Sequence, residues 1–415
     1  MDRSTAQNDN LDFPLLWNLS LLCFIIAGIT GFGYRLGMAG ELPFPVNLQN
    51  VRHAHSHLMF FGWAVPLPLY ILFRHLSNKL PTSAPGITLM KHSIASGMFL
   101  GLAAYPFFLF YGYGPVPIAS AAIPLSVILA GLVMVSWYCF VIGYLKVRKV
   151  LSTDLTQPWF DGSLTMLLVC SLGAWGVAAL QSVAPANQLL TKAMTHFFLA
   201  TFTEGWVVLA VIAVILKTLK LKEPLPLPSN MLLAFVVLGA PLTFPYGISK
   251  SLLTPILLIT ARIGGALAAA GLLLILFSVF KSFKLRHSIW KWPLGLLGLK
   301  AMMQLAASLL PSGFWLADHG LQIFYLHVLL LGALTLTIAG FLCEKGNAPR
   351  FLFNLFAGAV ITVLLSLILM TRFWPPEWSG NWVFNAVAAA ALLPVLAALV
   401  LWIKLRMSKS EKTYA

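Results

Sequence analysis

Long apolar runs, separated by short connections that hold most of the charge, repeat along the whole chain. Each is about the length that carries a helix across a hydrocarbon layer, roughly 20 residues at about 1.5 Å per residue. Bounded by charged residues or by Pro/Gly clusters, they predict twelve helices, near 14–34, 47–73, 92–113, 118–145, 162–183, 190–216, 230–248, 252–280, 289–310, 318–342, 351–371 and 382–404. Pro241 and Pro245 interrupt the seventh, so a break is expected there. Short polar tails, 1–12 and 405–415, flank what reads as one transmembrane domain covering 1–415, with no convincing internal repeat. The fold class is all-α, a polytopic membrane bundle of twelve helices.

Composition agrees. Hydrophobic residues make up 59% of the 415 positions and charged ones 9%, against about 45–50% and about 25% in soluble domains. Such a chain cannot clothe a water-facing surface, which excludes a soluble enzyme, a nucleic-acid-binding protein and a disordered scaffold. Its first partner is the lipid bilayer, and a multi-pass place in a cell's inner (plasma) membrane is expected. The net charge of +15 then bears on topology. The even-numbered connections and the C-terminus hold 19 Lys/Arg, against 6 in the N-terminus and odd-numbered connections. Positive residues stay on the cytoplasmic side, which puts both termini there. The polar, acidic N-terminus differs from the basic start of a signal peptide, so the first run is expected to remain as a helix. Cys23, Cys139, Cys170 and Cys343 lie in or at the ends of apolar runs and indicate no disulfide framework.

Three of the nine histidines, His75, His92 and His287, sit beside cationic residues at cytoplasmic loop edges and read as solvated. The other six fall in the outer half of the membrane: His53, His55 and His57 on the second span, His196 on the sixth, His319 and His327 on the tenth. His55 lies 19 residues from Arg74, His327 17 from Glu344 and His196 21 from Lys217. The first two therefore differ in depth by only about 3 Å. Intramembrane ionisable groups are costly and mark functional sites, and neutral imidazole is the commonest metal ligand. At about 100° per residue, His53 and His57 share a face and His55 points away from it. One helix cannot aim all three at a single metal. Without a Cys or carboxylate cluster beside them, imidazole-ligated haem or copper is favoured over zinc.

These residues carry a resemblance. The stretch His55-Ser-His-Leu-Met-Phe-Phe-Gly-Trp-Ala-Val-Pro66 resembles the second-helix signature of the haem–copper oxidase catalytic subunit, and is similar to a stretch of NnrS-type proteins, twelve-helix relatives linked to nitric oxide. Phe324-Tyr-Leu-His-Val-Leu-Leu-Leu-Gly332 looks like the tenth-helix segment of that family, and Thr195-His-Phe-Phe-Leu-Ala-Thr201 is similar to the copper-ligand helix of cytochrome-cbb-type oxidases. The resemblance implies a haem–copper-oxidase-like bundle with low-spin haem b between His55 and His327. Arg372 and Arg52 are the cations for its propionates. It further implies a second metal, copper, drawing on His196 with His57, His53 or His319. The family's paired copper histidines of the seventh helix are missing, and its high-spin haem ligand position holds Tyr325. Glu204, two turns after His196, is the candidate proton-handling group, and Tyr325 and Glu204 are the candidate catalytic residues. Arg262 and Lys300 fall near mid-membrane, where Lys300 serves a proton path or pairs with Glu204.

The resulting expectation is an integral membrane haem protein acting in redox chemistry, or in binding nitric oxide or dioxygen, with a cytochrome or quinol as electron donor. The alternatives are a haem or copper transporter or chaperone, and a redox sensor without turnover.

Overall fold

The computed structural model describes residues 12–42, 45–81, 83–151, 156–184, 186–219, 227–282, 288–312, 318–346 and 348–413. Most of the N-terminal tail and His287 therefore lie outside the described residues. In chain order the helices are α1 (Asp12–Ala39), α2 (Leu48–Met59), α3 (Pro66–Ser77), α4 (Pro85–Tyr111), α5 (Leu125–Val147), α6 (Gln157–Val183), α7 (Gln188–Ala200) and α8 (Val208–Leu219). They continue with α9 (Ser229–Leu242), α10 (Pro255–Ser282), α11 (Lys291–Leu309), α12 (His319–His327), α13 (Thr335–Glu344), α14 (Arg350–Ile368) and α15 (Asn381–Thr413). Wider π-helical turns join α2 to α3 (Phe60–Ala64), α7 to α8 (Thr201–Val207) and α12 to α13 (Val328–Leu334), so each pair forms one continuous span.

Among the described residues, eleven helices are long and apolar enough to cross a bilayer, and the protein is an all-α multi-pass membrane protein. The ninth predicted span does form a helix, α11, but is not among the eleven, because Lys291, Lys300 and Gln304 dilute its apolar character. The fourth span starts later than its pattern suggests. Val116–Ile118 and Ala121–Ile123 pair as a small antiparallel hairpin, and α5 begins only after Pro124. α9 ends near Pro241 and gives way to a 3-10 turn at Phe244–Gly247, the break that the two prolines predict. The C-terminal segment is no loose tail, since α15 continues to Thr413.

The chain clusters into two compact units. The first contains Met1–Lys146, Leu342–Ser366 and Ser379–Ala415. There α1 packs along α15, α2 and α4. Phe24 lies 4.7 Å from the Trp63 ring and 5.6 Å from Phe356. Beside it Cys23, Ala27 and Leu58 form a dry cluster, with Gly62 letting the second span close onto Cys23. The second unit contains Val147–Phe341 and Leu367–Trp378. Its most enclosed span is Gln188–Leu219, whose most apolar stretch is 94% buried. Around it α6 packs on α7, α9 on α10 and α10 on α11.

Candidate functional site

In the first unit α2 starts at Asn47, whose side chain accepts hydrogen bonds from the backbone N–H of Gln49 and Asn50 and so satisfies two of the helix's orphan donors. The rotation expected for the three histidines is what the structure shows. His53 and His57 share a face, their ring centroids 6.2 Å apart. His57 stacks on Phe108 at 4.0 Å. Its Nδ1 lies 2.8 Å from the His53 carbonyl and its Nε2 3.2 Å from the Tyr113 hydroxyl. With both nitrogens engaged, His57 has no lone pair left for a metal. His53 packs on Tyr113 at 4.6 Å, beside the exposed Arg52.

His55 faces α1 instead. Its Nδ1 lies 2.7 Å from the carbonyl oxygen of Ala27, which can only accept, so Nδ1–H is the donor and Nε2 keeps the lone pair. Gly31 makes room for the ring: a Cβ there would come within 3.0 Å of Cε1 and Nδ1. One turn further along the same stripe is Arg35, 7% exposed. Its guanidinium donates to the Met38 thioether at 3.5 Å and lies 5.4 Å from the Tyr34 ring centroid. Among the described residues no carboxylate pairs with it. Sequence reasoning counted Arg35 as a connection residue, because the first run was ended near residue 34. The spacing of Ala27, Gly31 and Arg35, four residues apart each time, is the signal that places them on one helix face.

The second unit gathers a different set. Glu204 sits in the π turn at Thr201–Val207 and is 4% exposed. Lys300 of α11, 1% exposed, forms an ion pair with its Oε2 and donates to Gln304 Oε1 at 2.6 Å. Tyr325 of α12 donates to Glu204 Oε1 at 2.7 Å. The pairing of Lys300 with Glu204 raised by the sequence is therefore present, and Tyr325 and Glu204 meet as well. Gln304 was missed. Its signal was the four-residue spacing from Lys300, which puts both side chains on one face of the helix. Glu204, Gln304 and Tyr325 open onto a cavity of about 200 Å³, lined also by His196, Tyr246 and Gly247. A Cβ at Gly247 would collide with the His196 ring, so the 3-10 turn after the Pro241 break is what lets the two meet.

His327 directs Nδ1 to the Ile323 carbonyl at 2.8 Å. His319 is the exposed first residue of α12. Asp318 caps that helix through Leu321 N–H at 2.9 Å and also accepts from the Arg372 backbone N–H at 2.8 Å. Arg372 is exposed. Arg262 differs from its mid-membrane expectation. It lies two turns into α10 and donates to the Leu310 carbonyl at 3.0 Å, closing off the end of α11 where unpaired carbonyls and the helix dipole favour a cation.

The three spans carrying candidate histidines share one local feature. Each widens into a π turn within a turn or so of its histidine: at Phe60 after His55 and His57, at Thr201 after His196, at Val328 after His327. Pro66 has no N–H for the Gly62 carbonyl, and the frame shifts so that Val65 N–H meets Phe60 O at 3.0 Å. Thr335 Oγ1 similarly reaches Leu330 O at 3.0 Å. Such turns are rare and concentrate at functional sites. Among the described residues no group of three or more His, Cys, Asp or Glu could hold a metal ion. Comparison with family models returned no match, and comparison with curated proteins returned none either.

Proposed function

We propose that the chain is a haem-binding electron-transfer protein of the inner membrane, in which His55 would be a ligand of a haem b. The carrying observation is the setting of His55. Its ring is held by Ala27, given room by Gly31, and followed one turn along α1 by a buried guanidinium with no carboxylate of its own among the described residues. Iron-ligating imidazoles donate their second ring N–H to a carbonyl or carboxylate, and His55 does so. A buried unpaired cation costs several kcal/mol, and a propionate carboxylate would offset it. Arg35 replaces Arg52 and Arg372, both exposed, as the first residue for that role.

Bound haem supplies a one-electron iron couple. The chain's own contributions would be the Nε2 lone pair of His55, a tautomer fixed by the Ala27 carbonyl at Nδ1, and the Arg35 guanidinium for a propionate. A second imidazole opposite His55 would fill the remaining coordination position and so favour electron transfer, from a cytochrome or quinol donor, over binding of nitric oxide or dioxygen. The Lys/Arg distribution supports cytoplasmic termini, with α11 as the twelfth crossing.

The test is a reduced-minus-oxidised spectrum with pyridine haemochrome quantification on the purified protein. The expected result is one low-spin haem b, unchanged by carbon monoxide. His55→Ala should lose it, while His57→Ala, whose ring nitrogens are already engaged, should retain it. Full haem content in His55→Ala would overturn the reading.

A further inference from the structure

The cavity of the second unit has an unusual polar inventory, independent of any haem. Its hydroxyl protons are already committed. Thr203 donates to Leu199 O at 2.8 Å, Thr243 to Ala240 O at 2.8 Å and Tyr246 to Ala307 O at 3.2 Å. Both oxygens of Glu204 are occupied, by Tyr325 and Lys300. Two donors on the wall are not committed. Gln304 is 4% exposed, and its Oε1 is held by Lys300, which fixes the amide so that Nε2 is a buried donor with no partner. The His196 ring makes no hydrogen bond among the described residues. The remainder of the wall is largely apolar, with Leu199, Phe244, Met303 and Leu326 among its members.

A buried N–H without a partner carries the full desolvation cost of the group, so an occupant that accepts a hydrogen bond is favoured. Net charge is not wanted. Lys300 and Glu204 neutralise each other, leaving neither an unpaired cation for an anion nor a free carboxylate for a cation. The volume suits one substituted ring, and lipid is the surrounding solvent.

We propose that this cavity binds the head group of a lipid-soluble quinone, with Gln304 Nε2 donating to one carbonyl oxygen and His196 serving as the second donor. An acyl chain in the same space would leave Gln304 Nε2 unpaired. The site stands whether or not His55 holds a haem, and quinone binding is measured directly.

The test is calorimetric titration of the detergent-solubilised full-length chain with a short-tailed benzoquinone, beside an analogue with the same tail on a ring lacking both oxygens. One saturable site is expected for the quinone and none for the oxygen-free analogue. Gln304→Leu, in which Lys300 still has Glu204, should weaken binding tenfold or more, and His196→Phe should weaken it similarly. Should Gln304→Leu fail to fold, Ala307→Leu fills the cavity without touching a polar side chain and should abolish binding while leaving thermal unfolding intact. Equal affinity for both compounds, undiminished binding in Gln304→Leu or Ala307→Leu, or no saturable binding would each overturn the proposal.

Discussion

Arg35 and Lys300 are both cations buried within helices, one in each unit, and their charge is met in different ways. Lys300 has an internal partner: Glu204 balances it, Gln304 accepts from it, and Tyr325 completes the carboxylate's shell. Arg35 has a thioether and an aromatic ring but no carboxylate among the described residues. Burial of a charge costs several kcal/mol unless it is paired. The pair around Lys300 is thus complete within the chain. Among the described residues no carboxylate meets Arg35, so an anion from outside the chain would complete its surroundings; the proposed charged cofactor of the first unit and neutral ligand of the second rest on that contrast.

The contrast can be broken most sharply at Glu204. Glu204→Leu strands Lys300 in an apolar interior and should destabilise the protein by about 3–5 kcal/mol, read as a lowered unfolding midpoint in detergent. Adding Lys300→Leu should recover much of that loss, because a well-packed apolar pair can replace a buried ion pair. Next comes Tyr325→Phe, which removes one hydrogen bond to a charged group and should cost about 1.5–3 kcal/mol in the same measurement. A loss as large as that of Glu204→Leu would show that Tyr325 does more than complete the carboxylate's shell.

Arg35 should behave in the opposite sense. Arg35→Leu is expected to leave the haem-free protein as stable as the wild type or more so, while haem retention through gel filtration falls several-fold. Destabilisation of the haem-free protein by this change would mean that Arg35 has a structural partner and would remove the contrast. The smallest effect belongs to the local cap. Asn47→Ala should cost about 1 kcal/mol by freeing two N–H groups at the start of α2, with haem content unchanged.

Much of the architecture was legible in the sequence because a bilayer demands long apolar helices and places charge in the connections. All twelve predicted runs became helices. The hairpin at residues 116–123 escaped because Ile118, Ala121, Ala122 and Ile123 are as apolar as a helix start, and hydropathy cannot tell a strand pair from a helical turn. The depth argument found the histidines, and periodicity separated His55 from His53 and His57. The bond of His57 to the His53 carbonyl is local to α2, but periodicity could not see that Tyr113 takes the other nitrogen, since that bond depends on where the chain goes after α4. Arg35 and Gln304 escaped for a related reason. Spacing puts each on a helix face, but nothing local says whether that face leaves an arginine in the headgroups or buries it, or whether a glutamine's amide N–H finds a partner.

The sequence by itself determined the membrane-spanning helices, their sidedness bias and the residue types capable of chemistry, because these follow from transfer free energy and helical spacing along a single chain. The partners were decided by tertiary structure: which carbonyl holds each imidazole, which carboxylate neutralises Lys300, and which buried donor is left over. Hydrogen bonds and ion pairs act over about 3 Å, and only packing brings residues that are remote in sequence, such as Glu204 and Lys300 or His55 and Ala27, within that range.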